Sequence, residues 1–237
     1  MARTTGRAPS RRRGGRPRIA EIQQREERLL RVAGDIFLRR GFDNTSMDAV
    51  AKAAGISKRT LYARYADKTA LFNAVLRDLI TRWLIPIGEF QLGPGGLRDT
   101  LLALARYLTT EALTPQSVSV HRIIISNADA RPEFGRLANE IGRGPALQAI
   151  ASILRQHCAE LQPIDLDIAA DQFMSLAVDR SLQLASLGIK MDAKQTEEWV
   201  RSSVDLFLNG IKSGTRQKPV LHHRRVKHAA LDTIDSD

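Results

Sequence analysis

Residues 45–68 read TSMDAVAKAAGISKRTLYARYADK, and this stretch decides the fold. Met47, Val50 and Ala51 recur at the spacing of one helical face, and Leu61 and Tyr65, four apart, do the same on a shorter second helix. Between them Gly55 permits a backbone reversal, Ile56 fills the angle between the helices, and Ser57 is placed to cap the second. Thr45, with Asp48 three residues on, is the expected cap of the first, in an acidic form of the capping box. Two short helices around a tight turn, the second carrying Lys58, Arg59 and Arg64, have the form of a helix-turn-helix DNA reader.

Outward from this motif the chain reads as all-α. A first helix is expected over about 20–40, with the stripe Leu29, Val32, Ala33, Ile36 and Phe37 and a stop at Gly41. Asp67 is placed to cap a long fourth helix that extends toward Trp83, and Pro86 and the Gly/Pro-rich stretch 92–96 break it. Further helices are expected over 97–110, 116–128, 131–141, 145–161, 165–187 and 193–210. The run Val118, Val120, Ile123, Ile124 and Ile125 would also suit a buried strand, but no second strand is available to pair with it. The domains expected are a disordered basic arm (1–20), a DNA-binding domain (21–83, motif about 46–65), a second helical domain (84–211) and a disordered tail (212–237).

Charge supports the division. The net charge is +10, and residues 1–64 carry all of it, with 16 Lys/Arg against 6 Asp/Glu. A neutral body with a basic front end implies a polyanionic partner for the front end alone. Residues 1–18 hold seven Arg and no acid; they read either as a solvated tail or as an arm following the minor groove, with Arg16 and Arg18 as its candidate contacts. Cys158 is the only cysteine, which excludes an intrachain disulfide and fits a reducing cytoplasm; its apolar-periodic setting reads as small core. No 18-residue apolar run is present, so no membrane span is expected. His222, His223 and His228 lie in a basic tail whose positive charge opposes metal binding. No metal-ligand spacing, nucleophile motif or phosphate loop appears, so no catalytic site, metal or cofactor is expected.

Phosphate neutralisation supplies most DNA affinity, and side chains reaching base edges supply specificity. Arg59 is the first candidate for a base contact, followed by Lys58 and Thr60. Tyr62 and Arg64 suit a phosphate, Tyr62 also a thymine methyl. Thr45 and Ser46 lie where the second helix's free N–H groups can face a phosphate, and Lys68 can clamp another. Tyr65 reads as core.

Residues about 23–83 closely resemble the TetR/AcrR family of bacterial transcriptional regulators. The resemblance runs through Ala33-x-x-Ile36-Phe37, Arg40-Gly41-Phe42, Thr45-Ser46-Met47, Val50-Ala51, Ala54-Gly55-Ile56-Ser57-Lys58, Thr60-Leu61-Tyr62, Tyr65 and Lys68-x-x-Leu71-Phe72. It departs at Tyr65, where Phe is commoner, and at Arg64, where His or another polar residue is frequent. His121-Arg122 and Arg131-Pro132-Glu133-Phe134 faintly resemble the AefR-like subgroup. The resemblance implies an all-helical homodimer, paired through its last two long helices, that binds a double-stranded, pseudo-palindromic operator. It also implies a ligand pocket in the second domain and release from DNA when a small-molecule effector binds. By position Tyr107, His121, Asn127, Phe134 and Phe173 are candidate lining residues, each more readily read as plain core than as a ligand contact. The expectation is therefore a cytoplasmic, nucleoid-associated repressor; a constitutive architectural protein and a ligand-responsive activator are the alternatives.

Overall fold

In α1 (Ile19–Arg40) the stripe Leu29, Ala33, Ile36 and Phe37 is buried, as its spacing requires. The computed structural model describes residues 19–84 and 95–212, which hold helices and one isolated bridge between Leu161 and Lys212. The arm with Arg16 and Arg18, Pro86 and the tail with its histidines lie outside the described residues. Gly41, at φ +78°, ends α1, and its N–H donates to the Phe37 carbonyl at 2.8 Å. Phe42 then turns back into the core.

The start of α2 (Met47–Ala54) corrects the sequence reading by one residue. Thr45 is only 3% exposed, and its hydroxyl donates to the Gly41 carbonyl at 2.8 Å, closing the end of α1. Ser46 is the cap instead, its Oγ accepting from the Ala49 N–H at 3.2 Å. Gly55, at φ +68°, ends α2 in the left-handed region that favours glycine. Ser57 caps α3 (Lys58–Tyr62), accepting from the Thr60 N–H at 3.0 Å. This helix stops short of Tyr65 because the chain tightens at Arg64, whose N–H donates to the Leu61 carbonyl at 3.1 Å. Asp67 accepts from the Ala70 N–H at 2.7 Å and opens α4 (Lys68–Leu84).

The remaining helices are α5 (Gly96–Ala112), α6 (Pro115–Ser126), α7 (Pro132–Ala138), α8 (Gly144–Gln156), α9 (Leu166–Met174), α10 (Arg180–Ser186) and α11 (Ala193–Ile211). The β-branched run 118–125 is helical in α6. Wide π-helical turns at Asn139–Arg143 and Ser175–Asp179 carry α7 into α8 and α9 into α10. The second turn has a visible use. The Leu176 carbonyl accepts from Trp199 Nε1 at 2.9 Å and Ser203 Oγ at 3.0 Å, pinning α11 to this turn of the α9–α10 helix. Helix α8 ends at Gln156 rather than near residue 161, so Cys158 falls in a short turn and is exposed, contrary to the core position expected for it.

Two apolar cores form. One joins α5, α8, α9, the π-helical turn Ser175–Asp179 and α11 around Leu101, Leu104, Ile150, Leu154, Phe173 and Val204. The other joins α1–α4 and also takes in Val120 and Ile123 of α6 and Phe134 of α7. The cores therefore do not divide at residue 83: part of the second half of the chain is built into the DNA-reading head.

Candidate nucleic-acid interface and ligand cavity

Leu61 anchors α3. Its side chain is fully buried, which turns Lys58, Arg59 and Tyr62 outward. Tyr62 is 50% exposed, and neither it nor Arg59 has a side-chain hydrogen bond or ion pair among the described residues. Thr60 is exposed and its hydroxyl is 2.8 Å from Ser57 Oγ. Ser46 is exposed at the start of α2.

Other sequence-derived candidates have internal partners. Lys58 pairs with Asp48 across the motif. Arg64 pairs with Glu26 of α1, and the same carboxylate accepts from the Tyr65 hydroxyl. Burial, then the Glu26 carboxylate, raises the Tyr65 pKa far above its usual value, so the phenol stays protonated and donates. Lys68 Nζ donates to the carbonyls of Phe42 and Asp43, at 2.9 and 3.2 Å, and lies 4.4 Å from the Phe42 ring centroid. It therefore laces the end of α1 to the start of α4. Thr45 is buried, its hydroxyl committed to Gly41. Glu26 was not singled out from sequence, because it lies 38 residues from Arg64 and no local pattern connects them.

A cavity of about 220 Å³ opens where α4, α5, α6, the run from α7 into α8 and the run from α9 into α10 meet. Ile80, Leu108, Val120, Ile124, Ala146, Met174, Val178 and Leu182 form its apolar walls; Tyr107, Glu111, His121, Arg143 and Asp179 are its polar positions. Two of the five residues expected from sequence, Tyr107 and His121, line it. The other three do not. Asn127 closes α6, donating to the Ile123 carbonyl at 2.9 Å. Phe134 sits in the reading-head core, 5.1 Å from Phe42 by ring centroids, and Phe173 packs on Phe207 at 5.1 Å in the other core. All three carry apolar or capping patterns that periodicity cannot distinguish from a pocket wall.

His121 Nδ1 is 2.8 Å from Ser186 Oγ, and burial lowers its pKa despite the opposing charge of Asp179. Beside it, Arg122 donates to the carbonyls of Ser186 and Ala185 at 2.8 and 2.9 Å, closing the end of α10. Ile80 and Val120 line the cavity and also belong to the reading-head core. At the cavity edge Gly142 rests against α4; a Cβ there would stand 3.2 Å from the Ile80 side chain.

The chain resembles known proteins over the same regions. A sequence profile described as "Bacterial regulatory proteins, tetR family" matches residues 29–75. One described as "AefR-like transcriptional repressor, C-terminal domain" matches residues 99–210. The HTH-type transcriptional regulator RutR of Escherichia coli is 34% identical over 74 residues, 31% of this chain and 35% of its own length. The chain thus spans about a third of the RutR relatives it matches. The DNA-binding transcriptional repressor TetR of Mycobacteroides abscessus is 34% identical over 144 residues, 54% of this chain and 74% of its own. The solved structure of the flavonoid-responsive regulator FrrA has a TM-score of 0.66 and 29% identity, covering 81% of this chain and all of that one. TetR-family regulators are DNA-binding transcriptional repressors that act as dimers, not enzymes. With the motif, the helical body and the relatives in agreement, this chain belongs to the TetR family.

Proposed function

We propose that the chain is a homodimeric operator-binding repressor that leaves DNA when a small aromatic effector fills the cavity. The observation that carries the DNA-binding half is the outward face of α3, where Arg59 and Tyr62 have no partner among the described residues while Leu61 holds the helix down. Arg59 reads a base edge, bidentately if the base is guanine; Lys58, Thr60 and Tyr62 flank it, and Ser46 presents the N-terminus of α2 to a phosphate. Arg64, Lys68 and Thr45 act mainly by holding this head together. The arm with Arg16 and Arg18 adds minor-groove contacts.

Exposed Ile168 on α9 and Leu206 on α11, with Leu187 just past the end of α10, support pairing through these helices. Two reading heads then address half-sites of a pseudo-palindromic operator about one helical turn apart. For release, Ile80 and Val120 support a direct route, since both walls belong to the reading-head core. An effector acts only through different affinities for the bound and free geometries. The name of FrrA supports an aromatic effector. No helix among the described residues is long and apolar enough to cross a membrane, and operator binding places the protein on the bacterial nucleoid in the cytoplasm.

The test is a footprint on the DNA flanking the protein's own coding region. A protected, two-fold site that Arg59→Ala weakens supports the proposal. Equal, salt-sensitive affinity for every duplex would instead indicate an architectural protein.

A further inference from the structure

The polar positions of the cavity are not balanced in charge. Among the described residues Arg143 is its only lining Lys or Arg, and it is fully engaged. It donates to both oxygens of Asp179, at 3.0 and 2.9 Å, and through Nε and Nη2 to Asp171 Oδ1, at 3.2 and 2.8 Å. With Nδ1 of His121 beside Ser186 and its charged form disfavoured by burial, the imidazole supplies no cation at neutral pH. Glu111, on α5, has no ion pair among the described residues. Among the described lining residues, a guest entering this apolar space meets one carboxylate without an ion pair, Glu111, and no unengaged positive group, since Asp179 is already paired with Arg143.

We infer that the effector is a small aromatic amine whose ammonium group pairs with Glu111 while its ring lies against the apolar wall of Val178, Ile124 and Leu182. This rests on the reading of the cavity as the effector site and adds the charge of its occupant. An anionic guest would be driven into a low-dielectric space facing Glu111 with nothing to neutralise it. A cationic guest gains the partner that Glu111 lacks, and burial strengthens their attraction. A volume of about 220 Å³ is below the usual range of about 300–1,000 Å³, which restricts the guest to roughly one ring and a short chain.

Three probes of one shape separate the outcomes: 2-phenylethylamine, 2-phenylethanol and phenylacetate, titrated into the full-length protein by calorimetry at neutral pH. The amine is expected to bind at least about tenfold more tightly than the alcohol, and phenylacetate more weakly than either. Glu111→Gln should bring the amine to the affinity of the alcohol and leave the alcohol unchanged. Leu182→Trp, or the milder Ile124→Phe if the first does not fold, should fill the space and abolish binding of both. Phenylacetate binding as tightly as the amine, or an amine affinity indifferent to Glu111→Gln, overturns the charge assignment while the cavity reading stands. Failure of all three probes to bind, or binding unchanged in the filled variant, overturns the cavity reading and with it the assignment.

Discussion

The ring of Phe134 in α7 lies 4.6 Å, centroid to centroid, from the ring of Phe72 in α4. Phe134 is fully buried, and Arg131, just before α7, stacks its guanidinium 4.4 Å from the Phe42 ring centroid. The aromatic centre of the reading head is therefore completed by a residue from the far side of the chain. Truncating it leaves a cavity that Phe42 and Phe72 cannot collapse into without moving α4. Phe134→Ala should cost about 3–5 kcal/mol of stability by urea denaturation. A loss below about 1 kcal/mol would show that α7 is not part of this core.

Arg59 is exposed on the outer face of α3 with no side-chain partner among the described residues, so its removal should leave folding unchanged. Arg59→Ala should weaken operator binding by about 1–3 kcal/mol and relax preference at one position of each half-site. Binding titrations against a panel of single-base operator variants read both effects. Unchanged affinity and preference would assign base reading to another residue.

Glu26 holds Arg64 against α1. Both side chains are about a third exposed, so the pair itself contributes little to stability, about 0–1 kcal/mol. Glu26→Gln should free the guanidinium for a phosphate. The slope of log affinity against log salt should then steepen by roughly 0.9 for each added phosphate contact. A wild-type slope in the variant would mean that Arg64 never reaches the backbone.

His121 predicts a pH response with a definite sign. Burial holds its folded pKa below the ordinary 6.5, so from about pH 6.5 downward the unfolded chain takes up a proton that the folded chain resists. Stability from this group is therefore whole above that pH and falls as acid is added. Thermal melts from pH 8 to 5 should show a shallower loss for His121→Asn than for the wild type. Parallel curves would indicate that the imidazole protonates freely in the fold.

Leu206 is 62% exposed on α11 and Ile168 57% exposed on α9. If these faces pair in the dimer, Leu206→Glu should shift sedimentation toward monomer and lower operator affinity, because each half-site is then bound separately. A dimer undisturbed by this charge would move the interface elsewhere.

The helix-turn-helix was legible because its determinants are local. The spacing of Val50 and Leu61, the turn at Gly55 and the caps at Ser57 and Asp67 each act within a few residues, and sequence displays such relations directly. Even there, Thr45 and Ser46 exchanged roles, because both can cap and only the packing of Gly41 chose which hydroxyl was committed.

What sequence alone determined was an all-helical chain with a DNA-reading motif near its front and a basic charge to match. Tertiary structure decided which cations are engaged internally, which aromatic from α7 completes the reading head, and which polar groups meet in one cavity. Arg64 meets Glu26 across 38 residues and Thr109 meets the Ala177 carbonyl across 68. No spacing rule spans such distances: helical periodicity says which face of a helix is buried, while the partner on the other side is chosen by how the helices pack.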